Sequence, residues 1–437
     1  MSDRQRFGSA PLLANDDTDE LDRLRHPDEA RAIVLRHVRR LATELVPIGE
    51  AAWRVLADDL IATEDQPPFA AATMDGFAVI ADDGSPWREV IGDQTAGFVL
   101  DVQVTDGTAV RITTGAPIPA GATAVVRVEE TEMADDHVIV HQEHIAPGEN
   151  IRQIGADLQR GKRVLPAGTP LGPAELGLVA GLGLNPVPVA GRPRVSIVST
   201  GDELVEPGAT VAPGQIRDAN RFSLIAAVQS AGAEIVWSGK APDTREPLRR
   251  LLAERIAESD VVLTSGGVSM GQLDLVKALL GELATVHFRR VFMKPGKPLN
   301  FATAGPTLFF GLPGNPVSAL VSFEIFIRPA LHQMMGRLDI DRPRTPVVLA
   351  QATLASDRIE YQRATVTVGP DGRLTGAITG PQASSRLASF IGANALLVIP
   401  PRSSPFGEGE VVDALLLAPP VTPHVPASGA ETSQVQP

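Results

Sequence analysis

The feature that most restricts what this chain can fold into is a regular alternation of short apolar runs with longer amphipathic segments, beginning at Arg194. The runs VSIVST, AEIVWSG, DVVLTSG and TLFFGL read as buried strands. Between and after them, RFSLIAAVQSAG, TREPLRRLLAERIAE, QLDLVKALLGEL and PVSALVSFEIFIRPALHQMM read as helices. Strands joined through helices of that length run parallel by right-handed crossovers, so the pattern predicts a doubly wound parallel α/β sheet with helices on both faces. In such a sheet, ligands sit beyond the carboxyl ends of the strands.

The rest of the 437 residues must form further domains, because single cores stop growing at about 250–300 residues. From His26 to about Leu60 the spacing in ARAIVLRHVRRLATEL predicts an amphipathic helix, followed by Gly- and Pro-punctuated short runs to Gly191. Leu176–Leu182 reads as a short helix with Pro173 in its first turn. After Asp341, TPVVLAQATLA, YQRATVTVG and NALLVIP read as short strands, with a turn at Gly369–Gly372. The expected division is a disordered tail over 1–20, a β-rich region over 21–191, the α/β domain over 192–338, a small β domain over 339–418 and a second disordered tail over 419–437.

Composition excludes several classes of function. A net charge of -13 argues against an extended nucleic-acid surface, which needs clustered Lys and Arg. The most apolar stretch, Leu176–Ala190, is broken by Asn185, Pro186 and Pro188, so no membrane span is expected. The absence of cysteine removes disulfides, thiolate zinc sites and cysteine nucleophiles together. The first residues lack the apolar segment of a secretory signal, and a cytoplasmic location is expected.

Each predicted strand of the α/β region runs into a loop of small and polar residues. STGDEL, Ser199–Leu204, places Asp202 and Glu203 after a buried strand. TSGGVSMGQLD, Thr264–Asp274, begins with Ser265, Gly266 and Gly267, where glycines let backbone amides approach a phosphate or a pterin ring and a helix N-terminus follows. MKPGKP, Met293–Pro298, holds Lys294 and Lys297 on a Pro-stiffened turn suited to an anion. GLPGNP, Gly311–Pro316, puts Asn315 where it can cap the next helix and Pro316 at that helix's first position. The acids Glu203, Asp243 and Asp274 have two readings, as solvated loop carboxylates or as oxygen ligands of Mg2+ beside a phosphate.

Two other patterns are set aside. GADLQRGKR, from Gly155, imitates a Walker loop but has five residues between its glycines and no Ser or Thr after Lys162. His137, His141, Glu143 and His144 suggest a metal, yet HVIVH alternates as a strand facing solvent does.

TGDEL, TSGGVS with its downstream Asp, KPGKP and GLPGNPVSA, in this order, resemble the motifs of the molybdopterin molybdenumtransferase (MoeA) family, which includes the C-terminal region of gephyrin. ATMDGFAV (Ala72–Val79), RITTGAPIPAGATAVV (Arg111–Val126), ENIRQIGADLQRG (Glu149–Gly161) and PGQIRDAN (Pro213–Asn220) resemble further family motifs, so the likeness extends from Leu24 to Leu417. The resemblance implies a transferase that inserts molybdate into adenylylated molybdopterin with Mg2+ and releases AMP. It also implies a homodimer in which an elongated, two-part N-terminal region reaches the partner's α/β cleft, with a barrel-like C-terminal domain alongside. The implied protein partners are the molybdopterin adenylyltransferase and acceptor molybdoenzymes.

Position by position, Asp75, Thr114 and Asp157 match functional residues of the N-terminal half, and Glu203, Asp243 and Asp274 match the acidic, Mg2+-binding or hydrolytic positions. Arg290 and Lys294 match cations that contact anionic groups, Pro313 and Pro316 shape the oxyanion pocket, and Arg363 and Ser384 match residues near the dithiolene or molybdate. Without the family, Arg363 reads as a strand-surface cation, and Ser384 and Ser385 are equal choices. The chain departs from the family in having Phe77 where Tyr is usual, Thr123 where Asp is frequent and Gln272 where Glu is frequent.

Two rival readings remain at this level. Adenylyl transfer onto molybdopterin is disfavoured by the flanking domains, and a pterin-binding scaffold without turnover is disfavoured by the retention of Glu203, Asp243, Asp274 and Lys294 together. Molybdate and tungstate, both tetrahedral dianions, are not separated.

Overall fold

The computed structural model describes residues 20–242, 244–266 and 273–422, with Leu273 and Asp274 described by their backbone alone. Asp243, Gly267, Gln272, the N-terminal tail and the chain beyond Thr422 therefore lie outside the described residues. Contacts divide the chain into two units, one of Leu45–Ala52 and Leu56–Val189, the other of the chain up to Glu44, Trp53–Val55 and everything from Ala190 onward.

In the second of these units the four expected strands are neighbours in a parallel array, ordered Glu234–Lys240, Arg194–Ser199, Val261–Ser265, Thr307–Leu312. Side chains alternate between the faces, so Ile197, Leu263 and Phe310 pack with Leu224 and Val228 on one side. Val198, Val262 and Phe309 pack with Leu248, Leu252 and Leu279 on the other. The sheet is thus helix-covered on both faces, as the alternation predicts. Two further strands, Pro298–Ala304 and Thr285–Arg290, extend it as an antiparallel edge. The turn carrying Lys294 and Lys297 joins these two antiparallel strands, of which Thr285–Arg290 is outermost.

The long helix expected after Asn315 is present in three joined pieces: Pro316–Ser322, a wider π turn over Phe323–Ile327, and Arg328–Met334. Pro329 has no N–H to give and its ring crowds the carbonyl four residues earlier, which a widened turn relieves. The expected N-terminal helix is shorter than its pattern. It spans Pro27–Arg36, burying Ala30, Ile33 and Val34, because Leu41 N–H donates to the Met334 carbonyl and draws the chain away from the helix axis. Tertiary contact overrides local propensity there.

The C-terminal strands Arg344–Leu349, Ile359–Val368, Leu374–Ile378, Ala395–Ile399 and Val411–Leu416 close into a barrel. Closure comes from the ten-residue strand Ile359–Val368, which pairs with both Leu374–Ile378 and Ala395–Ile399. Val347, Val366, Leu397 and Val412 fill its interior. The start of the expected C-terminal tail is ordered, since Val421 exchanges backbone hydrogen bonds with Val366 and Val368.

His332, in the last helical segment, is 1 % exposed. Burial first, then the charges of Arg328 and Arg337, push its imidazole down to about 3. An unfolded imidazole takes its proton near pH 6.5, so between that value and about 3 the unfolded chain binds a proton that the folded chain refuses. Stability present above pH 6.5 is therefore lost as the pH falls, by about 2 kcal/mol between pH 7.5 and pH 5 from this group. His332→Asn, which keeps a donor near Nδ1, is expected to flatten that slope in denaturant unfolding at the two pH values; an unchanged slope would refute the assignment.

The other unit holds a six-stranded sheet in the order Ala124–Arg127, Gly76–Val79, Thr108–Ile112, Trp87–Gln94, His137–Val140, Thr131–Ala134. Its helix Pro173–Gly181 starts on Pro173. Phe77, the departure from the family's Tyr, is 2 % exposed and packs with Val79, Val126 and Val138 in the core. Thr123 stands where an Asp is frequent and still supplies an acceptor, its Oγ1 taking a hydrogen bond from Ala81 N at 2.8 Å.

Candidate functional site

The carboxyl ends of the parallel strands bring the glycine loops together. After Arg194–Ser199 the chain turns at Gly201, φ 138°, and the Glu203 carboxylate folds over the space where a Cβ would stand. After Val261–Ser265 it turns at Gly266, φ 91°, where a Cβ would collide with the Thr200 carbonyl. Thr200 N–H in turn donates to the Ser265 carbonyl at 2.9 Å. Both glycines are required by conformation, and Gly266 by space as well, since the Thr200 carbonyl is backbone.

Asn220 fastens two of these loops. Its Nδ2 donates to Ser265 Oγ at 2.8 Å and to the Gly314 carbonyl at 2.7 Å, from the first turn of the helix Ala219–Ser230. Asp218 caps that helix by accepting from Arg221 N at 3.1 Å. Asn220 lies in a motif quoted for the resemblance, yet sequence reasoning did not single it out; the available signal was a polar residue just past a helix cap at the strand ends. Asn220→Ala is expected to lower kcat/KM about tenfold by loosening the loops, with a stability loss of about 1 kcal/mol. Steady-state kinetics and thermal unfolding check this, and wild-type kinetics would remove Asn220 from the site.

Beside these loops, a cavity of about 800 Å³ lies between the Met293–Pro298 turn and the barrel. Four of the expected residues line it: Lys294, Lys297, Pro313 and Ser384. The turn is tied to the barrel by parallel pairing of Met293 with Ile359 and of Lys294 with Glu360. Gly296, φ 106°, leaves room beneath the turn for the Met293 side chain. Asn315 stands at the cap position and Pro316 opens the helix, but the Asn315 side chain makes no cap bond. Its amide donates instead to Ser384 Oγ at 3.0 Å, while Val317 N–H donates to the Ser384 carbonyl at 3.1 Å. Of the two neighbouring serines, it is Ser384 that lines the cavity. Pro313 and Asn315 line the cavity and Gly314 bonds Asn220, so cavity and glycine loops share one wall.

Arg363 corrects its plain sequence reading as a surface cation, for it is completely buried. Nε donates to Ser389 Oγ at 2.9 Å and Nη2 to the Ala383 carbonyl at 3.4 Å, but the buried Nη1 has no partner among the described residues. Burial, against the opposing pull of Glu360, lowers its pKa to about 10. Arg290 ends the edge strand, exposed, paired across the ladder with Pro298, and does not line the cavity. Glu360, 3 % exposed, holds Lys294 Nζ at 3.3 Å and was not foreseen.

The N-terminal candidates belong to the other unit. Asp75 Oδ1 accepts from Thr114 N at 2.6 Å and from Thr114 Oγ1 at 2.8 Å, and these two bonds hold its carboxyl below the usual carboxylate range. Asp157 pairs with Arg152. All of these side chains except Thr114's partner bonds face solvent: Asp75, Thr114 and Asp157 are exposed.

For metals, the described residues hold no group of three His, Asp or Glu side chains that converge. His137 bonds Asp136 at 2.7 Å and His141 lies 3.6 Å from Glu132. Of the three expected Mg2+ ligands only the Glu203 side chain is described, and it is exposed. The imitation Walker loop runs into the strand Arg163–Leu165 instead of a helix.

Comparison with known proteins gives three family matches in series: the MoeA N-terminal region (domain I and II) over residues 25–183, a probable molybdopterin binding domain over 196–333 and the MoeA C-terminal region (domain IV) over 347–417. The chain is 39% identical to molybdopterin molybdenumtransferase 2 of Mycobacterium tuberculosis, with 86% of this chain and 96% of the relative covered. It is 37% identical to gephyrin of Dictyostelium discoideum over 90% of this chain, and spans 62% of gephyrin's length. Among solved structures, it resembles the molybdopterin biosynthesis moeA protein of Pyrococcus horikoshii with a TM-score of 0.77 and 30% identity, covering 90% of this chain and 100% of that one.

Proposed function

The chain belongs to the MoeA family, and from that membership we propose that it is a molybdopterin molybdenumtransferase, inserting molybdate into adenylylated molybdopterin with release of AMP. The observation that carries this reading is the cation-lined cavity sharing the Pro313–Asn315 wall with the Ser265–Gly266 loop. A tetrahedral dianion and a phosphorylated pterin could then be held side by side.

No nucleophilic side chain is needed for this chemistry. The protein's contribution is to neutralise charge and to fix two anions in reacting geometry. Lys294 and Lys297, which line the cavity, hold the oxyanion, and Arg363, buried behind the lining residue Ala383 to whose carbonyl its Nη2 donates, adds positive charge from within the wall, with Arg290 a further cation of this region. Ser384 shapes the wall with Pro313 and the Pro316-headed helix. Ser265, Gly266 and Gly267 receive the phosphorylated pterin through backbone N–H groups. Glu203, with Asp243 and Asp274, would hold Mg2+, which would offset phosphate charge and polarise the anhydride.

We further propose that the protein works as a homodimer, with Asp75, Thr114 and Asp157 serving the partner's cleft. It would act in the cytoplasm between a molybdopterin adenylyltransferase and acceptor molybdoenzymes. No described helix is long and apolar enough to cross a membrane.

The decisive experiment mixes purified protein, Mg2+ and adenylylated molybdopterin with molybdate or tungstate and measures AMP and active cofactor. Oxyanion-dependent AMP release is expected. AMP release that ignores the oxyanion, or none at all, would overturn the proposal.

A further inference from the structure

An anion site should gain nothing from a negative charge in its wall, yet one carboxylate lines the cavity. Among the described residues of its lining, Glu360, 3 % exposed on the barrel strand Ile359–Val368, is the one acid and stands against Lys294, Lys297 and Arg358. A carboxylate taken out of water is costly unless it is paired, and the pairing here is with a single cation. The Glu360 oxygens lie 3.3 and 3.4 Å from Lys294 Nζ. Arg358 turns instead to the exposed Asp357, its Nε at 3.0 Å from Oδ1.

This pairing is built into the backbone. Lys294 and Glu360 are bridge partners where the turn docks on the barrel, so the two side chains start from adjacent positions. The Lys294 side chain keeps 46% exposure, while that of Glu360 keeps 4%. An ammonium carries three N–H donors, so one can be given to Glu360 while the others are presented to the cavity. The buried partner fixes the direction of the exposed one.

We propose that Glu360 is a positioning residue that orients Lys294 and competes with the bound oxyanion for it, setting the cavity's affinity low enough for the dianion to be passed on. The inference rests on the reading that this cavity receives molybdate. Two consequences of opposite sign follow. Without the carboxylate, Lys294 is fully available and repulsion of the dianion is relieved, so binding tightens. The tighter complex, with Lys294 no longer held in direction, turns over more slowly. A merely structural Glu360 would give weaker binding with slower turnover.

The test is molybdate binding by equilibrium dialysis, with metal analysis, on the full-length protein and on Glu360→Gln, alongside kcat and KM for molybdate. Glu360→Gln is expected to lower both Kd and KM about tenfold and to lower kcat, with cooperative unfolding retained. Unchanged or weaker binding by a folded Glu360→Gln overturns the proposal. Should that variant fail to fold, Ala352→Glu decides, because Ala352 is an exposed lining residue where a second carboxylate can be added without repacking. It is expected to weaken molybdate binding several-fold, and unaltered binding overturns the proposal equally. Absence of saturable molybdate binding by the wild-type protein, or undiminished binding by Lys294→Ala/Lys297→Ala, sinks the functional reading itself. Wild-type binding with an indifferent Glu360→Gln sinks this inference alone.

Discussion

Lys294→Ala is expected to lower kcat/KM for molybdate insertion by about 10²–10³-fold, the effect of removing one charged group that stabilises a reacting anion. The same substitution is expected to destabilise the fold by about 2 kcal/mol. Glu360 would stay behind, 3 % exposed, without the ammonium that now lies 3.3 Å away. Losing one partner of a buried pair costs about 3–5 kcal/mol, but Lys294 is half exposed and water in the cavity can partly replace it, so a smaller figure applies. The two effects separate in a double-mutant cycle. Lys294→Ala/Glu360→Gln removes the stranded charge and is expected to recover most of the lost stability and none of the activity. Denaturant unfolding and AMP release on the same four proteins read both quantities. Near-wild-type turnover in Lys294→Ala would remove this lysine from the oxyanion site, and strict additivity in stability would show that the pair carries no coupling.

What could be read from the sequence follows from how each element is buried. The strands around Ile197, Leu263 and Phe310 lie under helices on both faces, so they appear as continuous apolar runs. Thr285–Arg290 escaped notice because an antiparallel edge strand needs less apolar sequence, and Pro298–Ala304, although paired on both sides, is a short run directly after the Pro- and Gly-rich turn. Barrel strands were visible by alternation, but closure depends on register: Ile359–Val368 must be long enough to serve two neighbours. The glycine loops were legible because Gly201, Gly266 and Gly296 occupy backbone conformations that other residues resist. Glu360 was not, since IEYQ looks like any half-solvated strand and only the fold reveals that its acid is buried against a turn from another domain. Asn220 was hidden in the same way, its two partners lying 45 and 94 residues away in the chain.

Arg363→Met is expected to abolish insertion while making the folded chain more stable, by about 1 kcal/mol. The guanidinium is fully buried and, among the described residues, has no carboxylate salt bridge and leaves Nη1 unpartnered. Burial has drawn its pKa down to about 10, so the fold disfavours the cation. Well below pH 10 the group is charged in both folded and unfolded chains, and that disfavour is present as a destabilisation of roughly 3 kcal/mol, relieved only as the pH rises above about 10. Methionine fills a similar volume without the charge. It gives up the bond to Ser389, worth about 1 kcal/mol, but Ser389 Oγ still donates to the Arg386 carbonyl at 2.7 Å and is not orphaned. A chain that keeps so costly a cation has a use for it: Nη2 donates to the carbonyl of Ala383, which lines the cavity, so the charge is held behind the wall before any anion arrives and none of the binding energy is spent on ordering it. The corollary is measurable by thermal unfolding. Molybdate should raise the wild-type midpoint and leave that of Arg363→Met unmoved, even though the variant starts higher. A variant that unfolds earlier than wild type, or that still inserts molybdate, would show instead that Arg363 is there to hold the barrel together.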